Sequence, residues 1–277
     1  MAQNPSLAGQ RTEVVVNEYV RSVYNWMCIG LGLTGVVAYM VSNSPAILQL
    51  VFGNRFLFFG LILAELGLVF AISGAVGRMS PGTATSLFVL YAGLNGVTLS
   101  FIFLAYAKAS IVSTFFICAG TFLACSIYGW TTKKDLTSLG GFLMMGLFGI
   151  IIASVVNLFV RSSAVSMVVS YIGVLVFVGL TAYDTQKIKN MALTQPAGVD
   201  AGVVRKGAIL GALSLYLDFI NLFLMLLRIF GGARVRPQSA RNSSNRPLRR
   251  FTVEPGAFFL ESSSWSRATW NWRKRAS

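Results

Sequence analysis

The chain has 277 residues, of which 55% are hydrophobic and 12% are charged, and its mean hydropathy is +0.68. Soluble domains carry about 25% charged residues, so this composition is typical of an integral membrane protein. The chain contains no histidine, which excludes serine–histidine and cysteine–histidine catalytic pairs, histidine metal sites and an imidazole pH switch.

The first 22 residues are polar and lack the basic and then apolar opening of a signal peptide. We therefore expect residues 1–22 to form a polar cytoplasmic segment and residues 23–232 to form an all-α domain of seven transmembrane helices. Each predicted span is long enough to cross a bilayer. The spans lie at approximately 23–42, 56–77, 84–106, 109–129, 139–160, 165–186 and 207–230.

The basic residues that flank the spans predict the orientation of the chain in the membrane. Nine Lys and Arg residues lie on one side and three on the other, so the positive-inside rule places the N-terminus in the cytoplasm. Seven spans then place the C-terminus outside, where Arg228, Arg234 and Arg236 conflict with the rule. The alternative is that one segment is re-entrant and the tail is cytoplasmic.

Polar residues mark the second span. Glu65 is the one acidic residue within it, and Arg78 follows at its exit. Glu65 is either a neutral, hydrogen-bonded core residue or part of an ion path, and the sequence leaves both open.

The last span, Gly207 to Phe230, carries Asp218 at its middle. A charged aspartate at the bilayer centre costs about 2.5 to 3.5 kcal/mol on insertion scales, so we interpret it as a functional residue. The small and polar residues of this span recur at helical spacing and form one stripe. They are Gly207, Gly211, Ser214, Asp218, Asn221 and Arg228.

A second aspartate, Asp184, ends the sixth span on a face of mostly small or polar residues. Antiparallel neighbouring helices would bring Asp184 and Asp218 together. Two carboxylates in a low-dielectric site cannot both ionise at low cost, so they tend to share one proton and can act as a pH sensor without histidine. The alternative is that the two acids are hydrogen-bonded separately.

Depth complicates this pairing. Asp184 is near the cytoplasmic end of its predicted span, whereas Asp218 lies about 16 Å into its own by helical rise. Pairing therefore requires the start of the seventh helix to protrude or the sixth helix to be displaced.

After Gly232 the sequence becomes basic and irregular. Residues 234–277 hold ten Lys and Arg against two acidic residues. We expect residues 233–277 to be a disordered tail. The alternative is a basic, aromatic segment that lies on anionic lipid or touches nucleic acid.

Four motifs carry a family resemblance that covers roughly residues 15–232. The chain resembles the transmembrane Bax inhibitor motif family, and most closely its bacterial branch. The two most specific motifs are GLTAYDTQKIKNM at 179–191 and LGALSLYLDFINLFLMLLRIFG at 210–231. YNWMCIGLGLTG near the N-terminus and YGWTTKKDL at 128–136 are also similar to the family.

The resemblance implies a seven-helix bundle in which the last helix, about 207–230, is central and wrapped by the other six. It also implies a pH-dependent calcium leak in a bacterial inner membrane, governed by an aspartate pair that corresponds to Asp184 and Asp218. In characterised members an arginine near the end of the second span latches this pair. Arg78 is the candidate here, although its surroundings, AVGRMSPG, lack the basic cluster and are offset by about half a turn.

The leading functional hypothesis is therefore a calcium or other cation leak, with the bilayer, calcium ions and protons as its partners. Calcium prefers six to eight oxygen ligands. The two aspartates, helped by Asn221, Glu65, carbonyl groups and water, would form a weak site that suits permeation. Arg228 is a further candidate for the pathway, and no cofactor or nucleic acid is expected.

Two other functions stay open. One is a regulator that does not transport ions and binds another membrane protein, such as a quality-control protease, as some bacterial relatives suggest. The other is an intramembrane aspartyl protease, because Tyr183 and Asp184 resemble the first half of the signature of such enzymes. The second half does not fit, since Leu215, Tyr216 and Leu217 precede Asp218 where a Gly-x-Gly pattern would stand. We therefore expect the protein not to be an enzyme.

Overall fold

The computed structural model describes residues 5–194 and 199–232, and the regular structure within these ranges is helical throughout. The predicted tail, 233–277, lies outside the described residues. The helices are α1 (Pro5–Ser42), α2 (Pro45–Gly53), α3 (Arg55–Ala75), α4 (Pro81–Leu99), α5 (Ile102–Ala105), α6 (Lys108–Thr131), α7 (Thr137–Val160), α8 (Ser163–Leu193) and α9 (Ala201–Phe230), with a 3₁₀ turn at Val76–Arg78.

Seven helical segments in the described part of the chain are long and apolar enough to cross a membrane, which confirms the predicted all-α class. They are α1, α3, the segment formed by α4 and α5, α6, α7, α8 and α9. Three details differ from the sequence prediction. The first helix begins at Pro5 and its apolar span at Val16, before the predicted start at residue 23. The third span is interrupted after Leu99, where the Ser100 hydroxyl donates to the Val97 carbonyl at 2.7 Å. The short helix α2, which begins at Pro45, was not predicted.

The last two helices are longer than their apolar segments. α8 continues to Leu193, because Ile188 and Ala192 extend its buried face beyond the first lysines. α9 begins at Ala201, where the Asp200 carboxylate caps it by accepting from the Gly202 amide at 2.7 Å. The connection between them is therefore shorter than the predicted 187–206.

α9 lies at the centre of the bundle, as expected. In the most apolar stretch of 18 residues in α9, 67% of the residues are buried, compared with 6% in the corresponding stretch of α3 and 11% in that of α7. The helices that pack directly around α9 are α1, α4, α6 and α8, whereas α3 packs mainly on α4 and α7 on α8. The six surrounding helices thus form two layers, and the outer faces of α3 and α7 expose apolar residues such as Phe70 and Phe159, as lipid-facing helices do.

Small residues set the closest helix contacts. A Cβ atom built on Gly129 of α6 would collide with the backbone carbonyl of Ala182 in α8, and one on Gly96 of α4 would lie 2.8 Å from the Thr34 carbonyl oxygen of α1. Such glycines let membrane helices approach backbone to backbone.

Candidate functional site

The register between α8 and α9 decides whether the two aspartates meet. A Cβ built on Gly211 would lie 3.3 Å from Ile188 Cγ1, and one on Gly173 would lie 2.9 Å from Met225 Cγ. The two helices therefore run antiparallel with Ile188 level with Gly211 and Gly173 level with Met225.

This register places Asp184 level with Ser214, and Asp218 about one helical turn further from the end of the bundle at which α8 finishes. One turn is about 5 Å along the axis. The predicted depth difference is thus absorbed by the early start of α9 and the late end of α8. The structure brings Asp184 and Asp218 close enough for the charge of one carboxylate to act on the other.

Asp218 is the more enclosed of the two acids. It is 5% exposed, and its Oδ2 has no hydrogen-bond partner within the described residues. Asp184 is half-buried and lines a small cleft of about 30 Å³ between α8 and α9, together with Ser214 and Gly211. This volume holds about one or two water molecules. One carboxyl is therefore sealed in the bundle, and the other is next to a cleft.

The polar stripe of α9 faces α1 and α8 over its first half. Gly207 approaches the Tyr19 hydroxyl of α1, at 3.1 Å from a built Cβ, and Gly211 approaches Val23 at 3.3 Å. Asn221, one turn beyond Asp218, donates its side-chain amide to the Leu217 carbonyl of its own helix at 2.8 Å.

Arg228 and Arg78 lie away from the pair. Arg228 is in the last turn of α9, where its charge acts on the hydroxyl of Tyr106. Arg78 is exposed in the 3₁₀ turn and forms no hydrogen bond or ion pair with any described residue. The neighbouring Gly77 carbonyl instead accepts from Lys206 Nζ at 3.1 Å. The structure does not bring Arg78 to the aspartates, and its role as a latch stays a prediction.

Glu65 belongs to a polar network that the sequence did not indicate. Its carboxylate accepts from Thr98 Oγ1 at 3.0 Å and from Asn95 Nδ2 at 3.4 Å. The Tyr216 hydroxyl donates to Asn95 Oδ1 at 3.2 Å and lies 2.7 Å from Thr34 Oγ1. Four helices, α1, α3, α4 and α9, thus meet through polar contacts inside the bundle, and both predicted roles of Glu65 stay predictions.

A larger cavity of about 210 Å³ is lined by residues at the start of α7 and the end of α8. We define the inner end of the bundle as the end at which α8 finishes and α9 begins, where residues 134–136 contact α8 and the 3₁₀ turn contacts the start of α9. In the orientation predicted from the flanking basic residues, this end faces the cytoplasm. Lys187 and Met191 line both this cavity and the cleft beside Asp184. The remaining residues that line the cavity are Thr137, Tyr183, Gln186, Asn190 and Thr194.

Metal-binding capacity at this site is small. The described residues contain no group of three or more His, Cys, Asp or Glu side chains that could hold a metal ion. Two carboxylates with the Ser214 hydroxyl nearby fall well short of the six to eight oxygens that calcium prefers. A weak calcium site at the pair therefore stays a prediction.

The chain is similar to known proteins over most of its length. Residues 16–235 match the protein family described as "Inhibitor of apoptosis-promoting Bax1". The chain is 55% identical over 216 residues to the inner membrane protein YbhL of Escherichia coli strain K12, which covers 78% of this chain and 92% of YbhL. It is 48% identical over 229 residues to a protein of Borreliella burgdorferi, with 82% of this chain and 98% of that protein covered. It is also 48% identical over 221 residues to protein RP147 of Rickettsia prowazekii, with 79% and 91% covered.

Proposed function

Since the chain belongs to the Bax inhibitor family of membrane proteins, we propose that it is a pH-sensitive calcium leak of the bacterial inner membrane, gated by Asp184 and Asp218. The inner-membrane location follows the relative in Escherichia coli, which is named an inner membrane protein. The observation that carries the proposal is the buried carboxylate of Asp218, whose Oδ2 has no partner among the described residues, with a second carboxylate about one turn away.

The physical basis is the charge of the pair. In a site shielded from water, two adjacent carboxylates repel, and one proton bound between them removes most of the repulsion. Loss of that proton leaves two negative charges inside the membrane, a state that only a cation or a rearrangement stabilises. Protonation of the pair therefore changes both the charge of the path and its attraction for a divalent ion.

The surroundings of the pair suit permeation better than storage. The cleft at Asp184 is small, and the ligands available to an ion are few, so residence should be short. On α9, Asn221 and Arg228 follow Asp218 toward the other end of the helix. We place them along the outer part of the path, with Glu65 as a second polar position inside the bundle.

Packing disfavours the alternative of an intramembrane protease. Leu215 and Tyr216, which precede Asp218, are both 0% exposed. A peptide substrate would have to displace this core to reach the second aspartate. The same carboxylate pair can exchange protons and small cations without such a displacement.

The test is calcium efflux from liposomes that hold the purified protein and a calcium-sensitive dye, measured across pH. We expect a pH-dependent leak in the wild type and a pH profile that is flat for both Asp184→Asn and Asp218→Asn. Asp135→Asn is the matched control, because Asp135 is exposed in the loop between α6 and α7 and should leave the profile unchanged.

Two outcomes would contradict the proposal. A wild-type leak no faster than that of empty vesicles at every pH would remove the channel. Cleavage of a helical membrane peptide by the wild type, lost in both intramembrane variants, would favour the protease instead.

A further inference from the structure

Lys187 has a position that the aspartate pair alone does not explain. It lies on α8 about one turn beyond Asp184 toward the inner end, and its side chain is exposed. It lines the cleft that holds Asp184 and also the larger cavity that opens at the inner end of the bundle. Lys187 thus stands between the open cavity and the carboxylate.

We propose that Lys187 is the residue that limits cation entry to the aspartate pair from the inner end. This inference rests on the proposed leak and deepens it by assigning the inner barrier. Two residues line both the cavity of about 210 Å³ and the cleft at Asp184, and Lys187 is the charged one of the two.

The geometry gives the side chain two partners. Its Nζ lies 6.0 Å from the centroid of the Tyr183 ring, at the outer limit of a cation–π contact, and its charge also acts on the carboxylate of Asp184. A lysine carries its charge on a flexible stem of four carbons. The ammonium can therefore lie over the ring or move toward the carboxylate, and in both positions it repels an entering cation.

Three other basic residues of the inner end have different contacts. Lys189 Nζ donates to the Trp130 carbonyl at 2.6 Å, Lys206 Nζ donates to the Gly77 carbonyl, and the Arg205 guanidinium lies 5.8 Å from the Trp26 ring. None of these three lines the cleft at Asp184.

The charged groups that act on Asp184 come from two helices. Lys187 is on α8 itself and Asp218 is on α9. From the other elements packed against this part of α8, the described polar contacts are neutral: the Tyr24 hydroxyl of α1 lies 3.3 Å from Thr185 Oγ1, and the Lys134 carbonyl accepts from the Gln186 amide at 2.8 Å. Lys187 is therefore the local source of positive charge.

The charge of the permeating ion gives a specific test. A unit charge about 6 Å from a path in water-like surroundings changes the local concentration of a divalent cation about tenfold and that of a monovalent cation about threefold. Neutral Lys187→Gln should therefore raise the calcium leak about tenfold and a potassium leak about threefold. Lys187→Arg should match the wild type, because it keeps the charge.

The experiment measures calcium and potassium efflux from the same liposomes at the pH where the wild-type leak is slowest. Lys187→Met is a second neutral variant that keeps an unbranched stem, and it secures the test if the glutamine variant folds poorly. Lys134→Gln is the matched control, since Lys134 is an exposed lysine of the same end and lines neither cavity.

The outcomes separate this inference from the proposed function. If both neutral variants leak like the wild type while Asp218→Asn still flattens the pH profile, the leak stands and Lys187 is not its barrier. An equal rise for calcium and potassium, or an equal rise in Lys187→Arg, would also overturn the inference, because shape rather than charge would be responsible. Absence of any wild-type leak would instead reject the proposed function.

Discussion

The hydrogen-bond network around Tyr216 gives a stability prediction whose size follows from the contacts. Tyr216 is 0% exposed, and its hydroxyl donates to Asn95 Oδ1. Tyr216→Phe keeps the ring, which packs edge-on against Phe88 and Tyr91 at centroid distances of 5.9 and 5.6 Å. It therefore removes the hydroxyl group without opening a large cavity.

The expected loss is about 1 to 2 kcal/mol of unfolding free energy. A buried acceptor left without its donor costs about 1 to 3 kcal/mol, whereas side-chain hydrogen bonds between membrane helices average about 0.6 kcal/mol with a maximum of about 1.7. Thr34 keeps a partner, because its hydroxyl donates to the Ala92 carbonyl at 2.8 Å. The main penalty thus falls on Asn95 Oδ1.

Reversible unfolding in mixed detergent micelles measures this loss. Tyr171→Phe is the matched control on α8, since the Tyr171 side chain is 56% exposed, and we expect it to be within about 0.5 kcal/mol of the wild type. Equal stability of the two variants would refute the reasoning. A double-mutant cycle with Thr34→Val should show a coupling energy of about 0.5 kcal/mol or more, because the two hydroxyls are in contact.

Two further predictions concern packing and pH. Gly129→Ala should destabilise the bundle by about 1 to 3 kcal/mol, because the added Cβ meets the Ala182 carbonyl. Gly120→Ala on the same helix is the control and should be neutral or stabilising, because its Cβ meets nothing within 4 Å. Equal melting temperatures of the two variants would contradict this prediction. Hydrogen bonds from the Thr137 hydroxyl and amide hold the pKa of Asp135 below its usual range. The ionised Asp135 therefore stabilises the folded protein at pH values above its pKa in the unfolded chain, near 3.9. This stabilisation is lost as the pH falls through the pKa of Asp135 in the folded protein. Unfolding measured against pH should show this loss in the wild type and not in Asp135→Ala.

Hydropathy predicted the spans of this fold, and the spacing of small and polar residues predicted which face of α9 carries Asp218. The end of α8 and the start of α9 were less predictable. The apolar segment of each helix stops at the nearest lysine or arginine, whereas the helix itself continues beyond it. Ile188 keeps the buried face of α8 intact beyond Lys187, whose side chain is exposed outside that face. The register that brings the aspartates together depends on that extra length.

The network of Tyr216 could not be predicted in the same way. Each of its helices contributes one or two polar residues, and Thr34 and Tyr216 are 182 positions apart in the chain. No local period connects such residues, so only the three-dimensional packing reveals the pairing. The cavity that Lys187 and Met191 line could not be predicted for the same reason, because it exists only when α7 and α8 are packed together.

The two polar features of α9 act on opposite sides of the same helix. Tyr216 and Asp218 are two residues apart, which is about 200° around a helix with 3.6 residues per turn. The Tyr216 hydroxyl donates to Asn95 of α4 and contacts Thr34 of α1, which links α9 to both helices, while Asp218 belongs to the interface with α8. When the charge of the aspartate pair changes, α9 is held in place by these contacts on its opposite face. We therefore expect the side chains of Asp184 and Lys187 on α8, which are less buried, to be the ones that move.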